Sequence, residues 1–234
     1  MDIKRCTDAA PLRELMNRDA GEYAYALGDL DAAWWDKCDF HGAFDGEKLL
    51  GFVLFFHGFE IPTLCIHGDT EAAAEILSSE TVELPPEVFC LSPMRFREAI
   101  AEFYDTAHIY NLLRMTVSPE TYQGEASGGW QPVRLYGNAA ERLNALYAQA
   151  ADPGESIMAF AAYQIDTGIF YGVEAQNGDL IAAAGTHVVS IQENIGVVGN
   201  VFTVPALRGR GLGGVTTAAV TQGLFDLGVN RVVL

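Results

Sequence analysis

The sequence predicts a mixed α/β (α+β) fold: a mostly antiparallel sheet flanked by helices, in two similar halves, with the C-terminal half incomplete. Three observations lead there. The second half reads strand, two helices, three strands, helix, strand. The first half runs helix, three strands, helix and further elements. Between them, residues 118–131 are loop material, centred on Gly124-Glu125-Ala126-Ser127-Gly128-Gly129. The domains are therefore placed at 1–125 and 126–234. With 234 residues, half of them hydrophobic, the chain has the apolar material for packed cores.

The first half opens on a polar segment, Met1 to Arg5. Leu12, Leu15 and Met16 then recur at helical spacing, which predicts a helix from Asp8 to Arg18. Tyr23 to Trp35 is mixed, broken at Gly28-Asp29. Phe40 to Phe44 alternates, Asp45-Gly46 is a turn dipeptide, and Lys48 to Phe59 is a long β-type run, so a hairpin is predicted. A strand from Thr63 to His67 follows Pro62. Asp69 or Thr70 caps a helix from Glu71 to Leu77. Pro93 to Tyr104 reads as helix and Ala107 to Val117 as strand.

The second half restarts with a strand, Pro132 to Tyr136. Asn138 caps a helix running to Ala151, with Leu143, Leu146 and Tyr147 on one face. Asp152-Pro153-Gly154 ends it, and Glu155 to Gln164 is a second helix. Strands follow at Ile169–Ala175, Leu180–Ser190 and Ile195–Val204, the first two joined by the hairpin turn Asn177-Gly178. After a glycine loop, Leu212 to Leu227 is helical, with Gly228 as its stop. Asn230 to Leu234 is a final β run. An apolar strand with nothing after it suggests that the sequence is truncated there. The first half, or a second molecule in a homodimer, would then complete the sheet.

The formal charge is −17. Up to Ser118 there are 21 acidic against 9 basic residues; from Pro119 the count is 10 against 5. Such acidity argues against nucleic-acid binding, which needs a basic surface, and would attract cationic substrates such as amines. No apolar run reaches the roughly 18 residues of a membrane helix, and the N-terminus lacks a signal-peptide pattern. A soluble, cytoplasmic protein with no membrane partner is expected. Cys6, Cys38, Cys65 and Cys90 stand far apart and read as buried thiols. The five histidines show no ligand spacing, so no metal site is expected.

The chemistry concentrates at Val204-Pro205-Ala206-Leu207-Arg208-Gly209-Arg210-Gly211-Leu212-Gly213-Gly214. A strand stops at a proline, a glycine loop follows, and a helix begins. Glycines let backbone N–H groups approach a ligand, and a helix N-terminus adds unpaired donors and partial positive charge. This is an anion site suited to pyrophosphate. A Walker loop is excluded, since no lysine follows Lys48. Gly209, Gly211 and Gly214 match the dinucleotide fingerprint by spacing. That motif should open directly off a strand, however, and here Pro205 to Arg208 intervenes.

The third reading fits best. The segment resembles the acetyl-CoA signature of the GCN5-related N-acetyltransferases (GNAT), Arg/Gln-x-x-Gly-x-Gly/Ala after a strand ending in Val-x-Pro. Arg208, Gly211 and Gly213 hold its defined positions, and the resemblance covers about Pro132 to Leu234. It implies a GNAT-like fold and acetyl transfer from acetyl-CoA to a small-molecule or peptide amine. The pyrophosphate would meet the N–H groups of Arg208, Gly209, Arg210, Gly211, Leu212, Gly213 and Gly214. The pantetheine arm would line the strand edge at Phe202, Thr203 and Val204, with the Val204 N–H as oxyanion donor. The glutamate that many relatives carry on this strand is missing, and the nearest is Glu193. His187 and Asn200 are the candidate catalytic residues, and Tyr171 a third polar group for the cleft. The first half resembles the degenerate N-terminal domain of two-domain relatives and has no glycine loop of its own. The alternative reading is a non-catalytic acyl-CoA-binding or sensor module.

Overall fold

The computed structural model describes residues 1–124, 128–150 and 159–234. The chain forms two compact units, Met1–Leu113 and Arg114–Leu234. The boundary drawn from sequence at 125/126, the helix end at Ala151, the Asp152-Pro153-Gly154 break and the helix start at Glu155 lie outside the described residues.

The first unit contains β1 (Asp2–Arg5), α1 (Ala9–Met16), α2 (Ala24–Gly28), β2 (Cys38–Asp45), β3 (Lys48–Phe56), β4 (Thr63–Gly68), α3 (Thr70–Leu77), β5 (Phe89–Cys90) and α4 (Arg97–Ala101). Its sheet has the order β1-β2-β3-β4-β5, antiparallel except for the parallel pair β4–β5. One core lies between sheet and helices, with Val53, Phe55, Leu64, Ile66, Ile76 and Phe96 buried in it. Asp8 caps α1 through its side chain, and the Asp45-Gly46 hairpin forms as expected.

The second unit contains β6 (Thr116–Val117), β7 (Val133–Leu135), α5 (Ala140–Tyr147), α6 (Ala162–Thr167), β8 (Phe170–Glu174), β9 (Leu180–Ser190), β10 (Ile195–Thr203), α7 (Leu212–Asp226) and β11 (Val232–Val233). Its sheet order is β6-β11-β10-β9-β8-β7, with β10 and β11 parallel. One face packs against α5, with Leu143, Leu146, Phe170 and Phe202 buried; α7 covers the other, with Val198, Val220, Leu224 and Val232 buried. From β1 to β5 and from β7 to β11 the two units repeat one order: strand, two helices, three antiparallel strands, helix, parallel strand.

Several sequence expectations change. The N-terminal polar segment is a strand: β1 pairs with β2 along its length although three of its four side chains are exposed. Backbone pairing, not hydrophobic alternation, holds it there. The strand expected at 107–117 shrinks to β6, which pairs with β11 and so belongs to the second unit; Ile109, Leu112 and Leu113 are exposed. The helix expected at 93–104 is a 3-10 turn, Met94–Phe96, followed by the short α4. Asn138 does not cap α5. It sits inside a 3-10 turn, whose first N–H, that of Gly137, is taken by the Asp166 carboxylate at 2.7 Å. Cys90, expected as a buried thiol, is exposed. Among the described residues no helix is long and apolar enough to cross a membrane.

Candidate active site at the bulged strand and glycine loop

The site is built on β10. Along most of its length β10 pairs with β9, but its other edge meets β11 only at Gly196 and Val197. From Val198 onward that edge has no partner strand among the described residues.

Two irregularities shape it. On β9 the register slips beside His187, so that Val197 faces Val188 and Val198 faces Thr186. On β10 it slips again: Gly199 faces Gly185 and Phe202 faces Ala183, so Asn200 and Val201 together oppose one residue. This is a β-bulge, in which one extra unpaired residue bends the strand and re-aims the side chains beyond it. Asn200 takes the left-handed conformation, φ 53°. For an L-residue that costs about 1–2 kcal/mol, and asparagine tolerates it better than most. The Asn200 carbonyl accepts a hydrogen bond from the Tyr147 hydroxyl of α5 at 2.8 Å. Such a bond contributes about 1 kcal/mol net, enough to offset much of that strain.

The bulge decides which groups face the open edge. Val204 N–H bonds to Ile181 C=O at 3.0 Å, and Phe202 lies opposite Ala183. Alternation in an antiparallel pair turns Phe202 and Val204 toward β9, and Thr203 away from it. The oxyanion donor expected at Val204 is therefore occupied. The Phe202 side chain is also withdrawn, packed in the core against Tyr147. Thr203 does face the edge, and its carbonyl accepts from Arg208 Nε at 3.1 Å.

The loop returns to that same edge. Pro205–Leu207 forms a 3-10 turn. Gly209 and Gly211 have φ values of 75° and 80°, open to glycine and strained for other residues. Gly211 is the N-cap of α7 and offers no side-chain cap, so the N–H groups of Leu212, Gly213 and Gly214 begin the helix without one. Gly209, Arg210, Gly211 and Gly214 are exposed, whereas the Leu212 side chain is buried and anchors the turn. A Cβ on Gly213 would stand 3.6 Å from Val201 Cγ1 and 3.7 Å from Thr203 Oγ1. The first turn of α7 is thus seated beside the open edge. The Arg208 guanidinium lies 5.7 Å from the Phe202 ring centroid, tying the loop to the strand end. Arg210 is exposed at the mouth.

The candidate catalytic residues meet at the bulge. The His187 imidazole lies over Gly199, where a Cβ would overlap its Nε2 and Cδ2. Desolvation lowers its pKa below the ordinary histidine value, which keeps it neutral near pH 7. Asn200 is the next residue along β10, and its buried Nδ2 has no hydrogen-bond partner among the described residues. Glu193 is not at this site. It lies before β10, at the end of the strand remote from Thr203, and is buried. Tyr171 packs on the α7 side against Gly223. The sequence reading missed the bulge and the role of Tyr147, which it placed only in the α5 core. The available signal was Gly199-Asn200 inside a strand, since an interior glycine marks bulges.

The equivalent place in the first unit is filled from within. Asp69 caps α3, its carboxylate accepting from the N–H groups of Glu71 at 2.8 Å and Ala72 at 3.3 Å. Beyond the β4–β5 pairing, Ile66 N–H takes Ser92 Oγ at 3.0 Å. No register slip interrupts the β3–β4 pair. Helix terminus and strand edge are present in both units; among the described residues, no side chain caps the helix terminus in the second.

No family model and no curated protein matches the chain. Solved structures do. A Drosophila structural-genomics target matches with a TM-score of 0.62 at 12% identity, over 99% of this chain and 88% of the other. A tandem GNAT protein from the clavulanic acid biosynthesis pathway matches at 0.53 and 14%, over 99% and 88%. A GCN5-related N-acetyltransferase from Kribbella flavida matches at 0.52 and 16%, over 79% and 76%. At such identities the likeness is one of fold, and the fold is that of the GNAT acetyltransferases. Because the tandem protein is matched over nearly the whole chain, the arrangement is the two-domain one, a GNAT-like fold in each half.

Proposed function

We propose that the second unit binds acetyl-CoA and transfers its acetyl group to an amine, a small molecule or a peptide. One observation carries the reading: an uncapped, glycine-lined helix terminus seated beside an unpaired strand edge. The donors suit pyrophosphate, Arg208 and Arg210 supply charge-assisted bonds, and the edge suits the amides of an extended arm. Acetyl-CoA, when bound, supplies an acyl group activated as a thioester.

The chain's own residues then have distinct tasks. The N–H groups of Gly209 to Gly214 hold the phosphates. Val201 and Thr203 align the pantetheine arm. The Val201 N–H donates to the acyl carbonyl oxygen, where negative charge develops as the amine attacks. His187 accepts the proton that the amine must lose, directly or through one water; Asn200 orients that water. As the amide forms, the thioester C–S bond would break, with CoA leaving as a thiol protonated from the imidazolium or solvent. The acidic surface draws cationic amines.

The test is thiol release from acetyl-CoA across a panel of amines, read beside binding of acetyl-CoA to the same protein. Amine-dependent release supports the reading. Binding without release from any amine would make the unit an acyl-CoA sensor instead.

A further inference from the structure

We propose that Tyr147 is a positioning residue that sets the direction of the Val201 N–H; the inference rests on the acyl-transfer reading above. A peptide unit is planar and trans, so its C=O and N–H point in opposite directions. The Asn200–Val201 unit lies in the bulge, where the β9–β10 register is interrupted, so regular ladder alternation does not set its direction. Its orientation is fixed instead from outside, by the Tyr147 hydroxyl on the Asn200 carbonyl. With that carbonyl held toward α5, the Val201 N–H is turned away from α5, toward the side on which α7 begins.

Tyr147 is built to hold this position. Its side chain is almost wholly buried, and its ring meets Phe160 and Phe202 with centroids 5.9 and 6.1 Å away. Burial pushes its phenol well above the ordinary tyrosine value, so it stays a donor at any working pH. The bond joins α5 to β10 across 53 residues of chain. A slip that closed the bulge would exchange inward and outward groups from Phe202 onward. The edge would then present Phe202 and Val204 in place of Thr203.

The variant Tyr147→Phe removes one oxygen and keeps the ring. We expect its affinity for CoA to stay within about twofold of the wild type, since the phosphate donors lie elsewhere. We expect kcat for acetyl transfer to fall about tenfold or more, with a smaller change in KM, as for a misaligned donor. The midpoint of the pH profile, set by His187, should not move. A purely structural role would instead lower CoA affinity along with kcat. An unchanged kcat in a wild type that turns over would overturn the assignment and leave the acyl-transfer reading intact. A wild type that binds no CoA would overturn that reading and the assignment with it. If the phenylalanine variant does not fold, 3-fluorotyrosine at 147 keeps the packing and strengthens the donor. The Val201 amide proton resonance must then shift, and an unmoved resonance would refute the coupling.

Discussion

Gly199 has no side chain in a place where His187 needs the space. In an otherwise apolar strand this is the residue whose enlargement should be felt first by chemistry. Gly199→Ala must push the imidazole aside. The expected outcome is a loss of about a hundredfold in kcat, the usual consequence of a displacement near 1 Å, with CoA affinity retained in calorimetry. Desolvation holds the His187 pKa below its ordinary value. The neutral, proton-accepting form therefore dominates from a lower pH than for a free histidine. The rate kcat/KM should carry a rise with pH centred below the ordinary histidine value. His187→Gln should remove the rise, and a rise that survives would take the base role from His187. Both candidate catalytic residues were legible because polar groups are few in β9 and β10. The donor proposed at Val201 was not legible. Its direction depends on a left-handed Asn200 and a hydroxyl from another element, and neither leaves a periodic trace in the sequence.

At the scale of elements, α3 and α7 are the same helix in two states of occupation. Each follows the fourth strand of its copy and begins beside that strand's edge. In α3 a carboxylate of the chain occupies the terminus; in α7 glycine leaves it open. Asp69→Ala should cost about 1 kcal/mol, as for other lost N-caps, and lower Tm by about 2–4 °C. Differential scanning calorimetry checks this, and an unchanged Tm would mean that the cap contributes nothing. The cap at Asp69 could be read from sequence, since Asp before an apolar helical run is a direct signal. So could the glycine loop. The short strands could be read only in part: β11 lies inside the run expected at Asn230 to Leu234 and β6 at the end of the strand expected at Ala107 to Val117, but β1 and β5, of four and two residues, were not read. Pairing partners far along the chain define them, and pattern alone does not reach that far.

At the scale of the molecule, the two units share a topology that the sequence suggested by element order but could not demonstrate as a repeat. The first unit is also tied by charge. Glu22 receives Arg95 bidentately and lies 3.6 Å from His67 Nδ1. Its pKa is held at about 2, chiefly by the neighbouring His67 imidazole and then by the hydrogen bonds from Arg95. A depressed carboxylate contributes stability above its unfolded value near 4.3, and that contribution is lost as pH falls toward 2. Glu22→Gln should therefore be less stable than the wild type at pH 7, by about 1 kcal/mol after solvent screening. The two should converge near pH 2, as urea titrations at both pH values would show. A difference that stays constant with pH would assign the effect to packing rather than charge.

The contrast between an open and a self-filled helix terminus leads to a count: one acyl-CoA site per chain. Isothermal calorimetry with acetyl-CoA measures it directly, on the wild type and on a variant carrying Arg208→Ala and Gly211→Val. The predicted result is one site per chain in the wild type and no measurable binding in the variant. Two sites per chain, no heat at all, or an affinity indifferent to the two substitutions would contradict it.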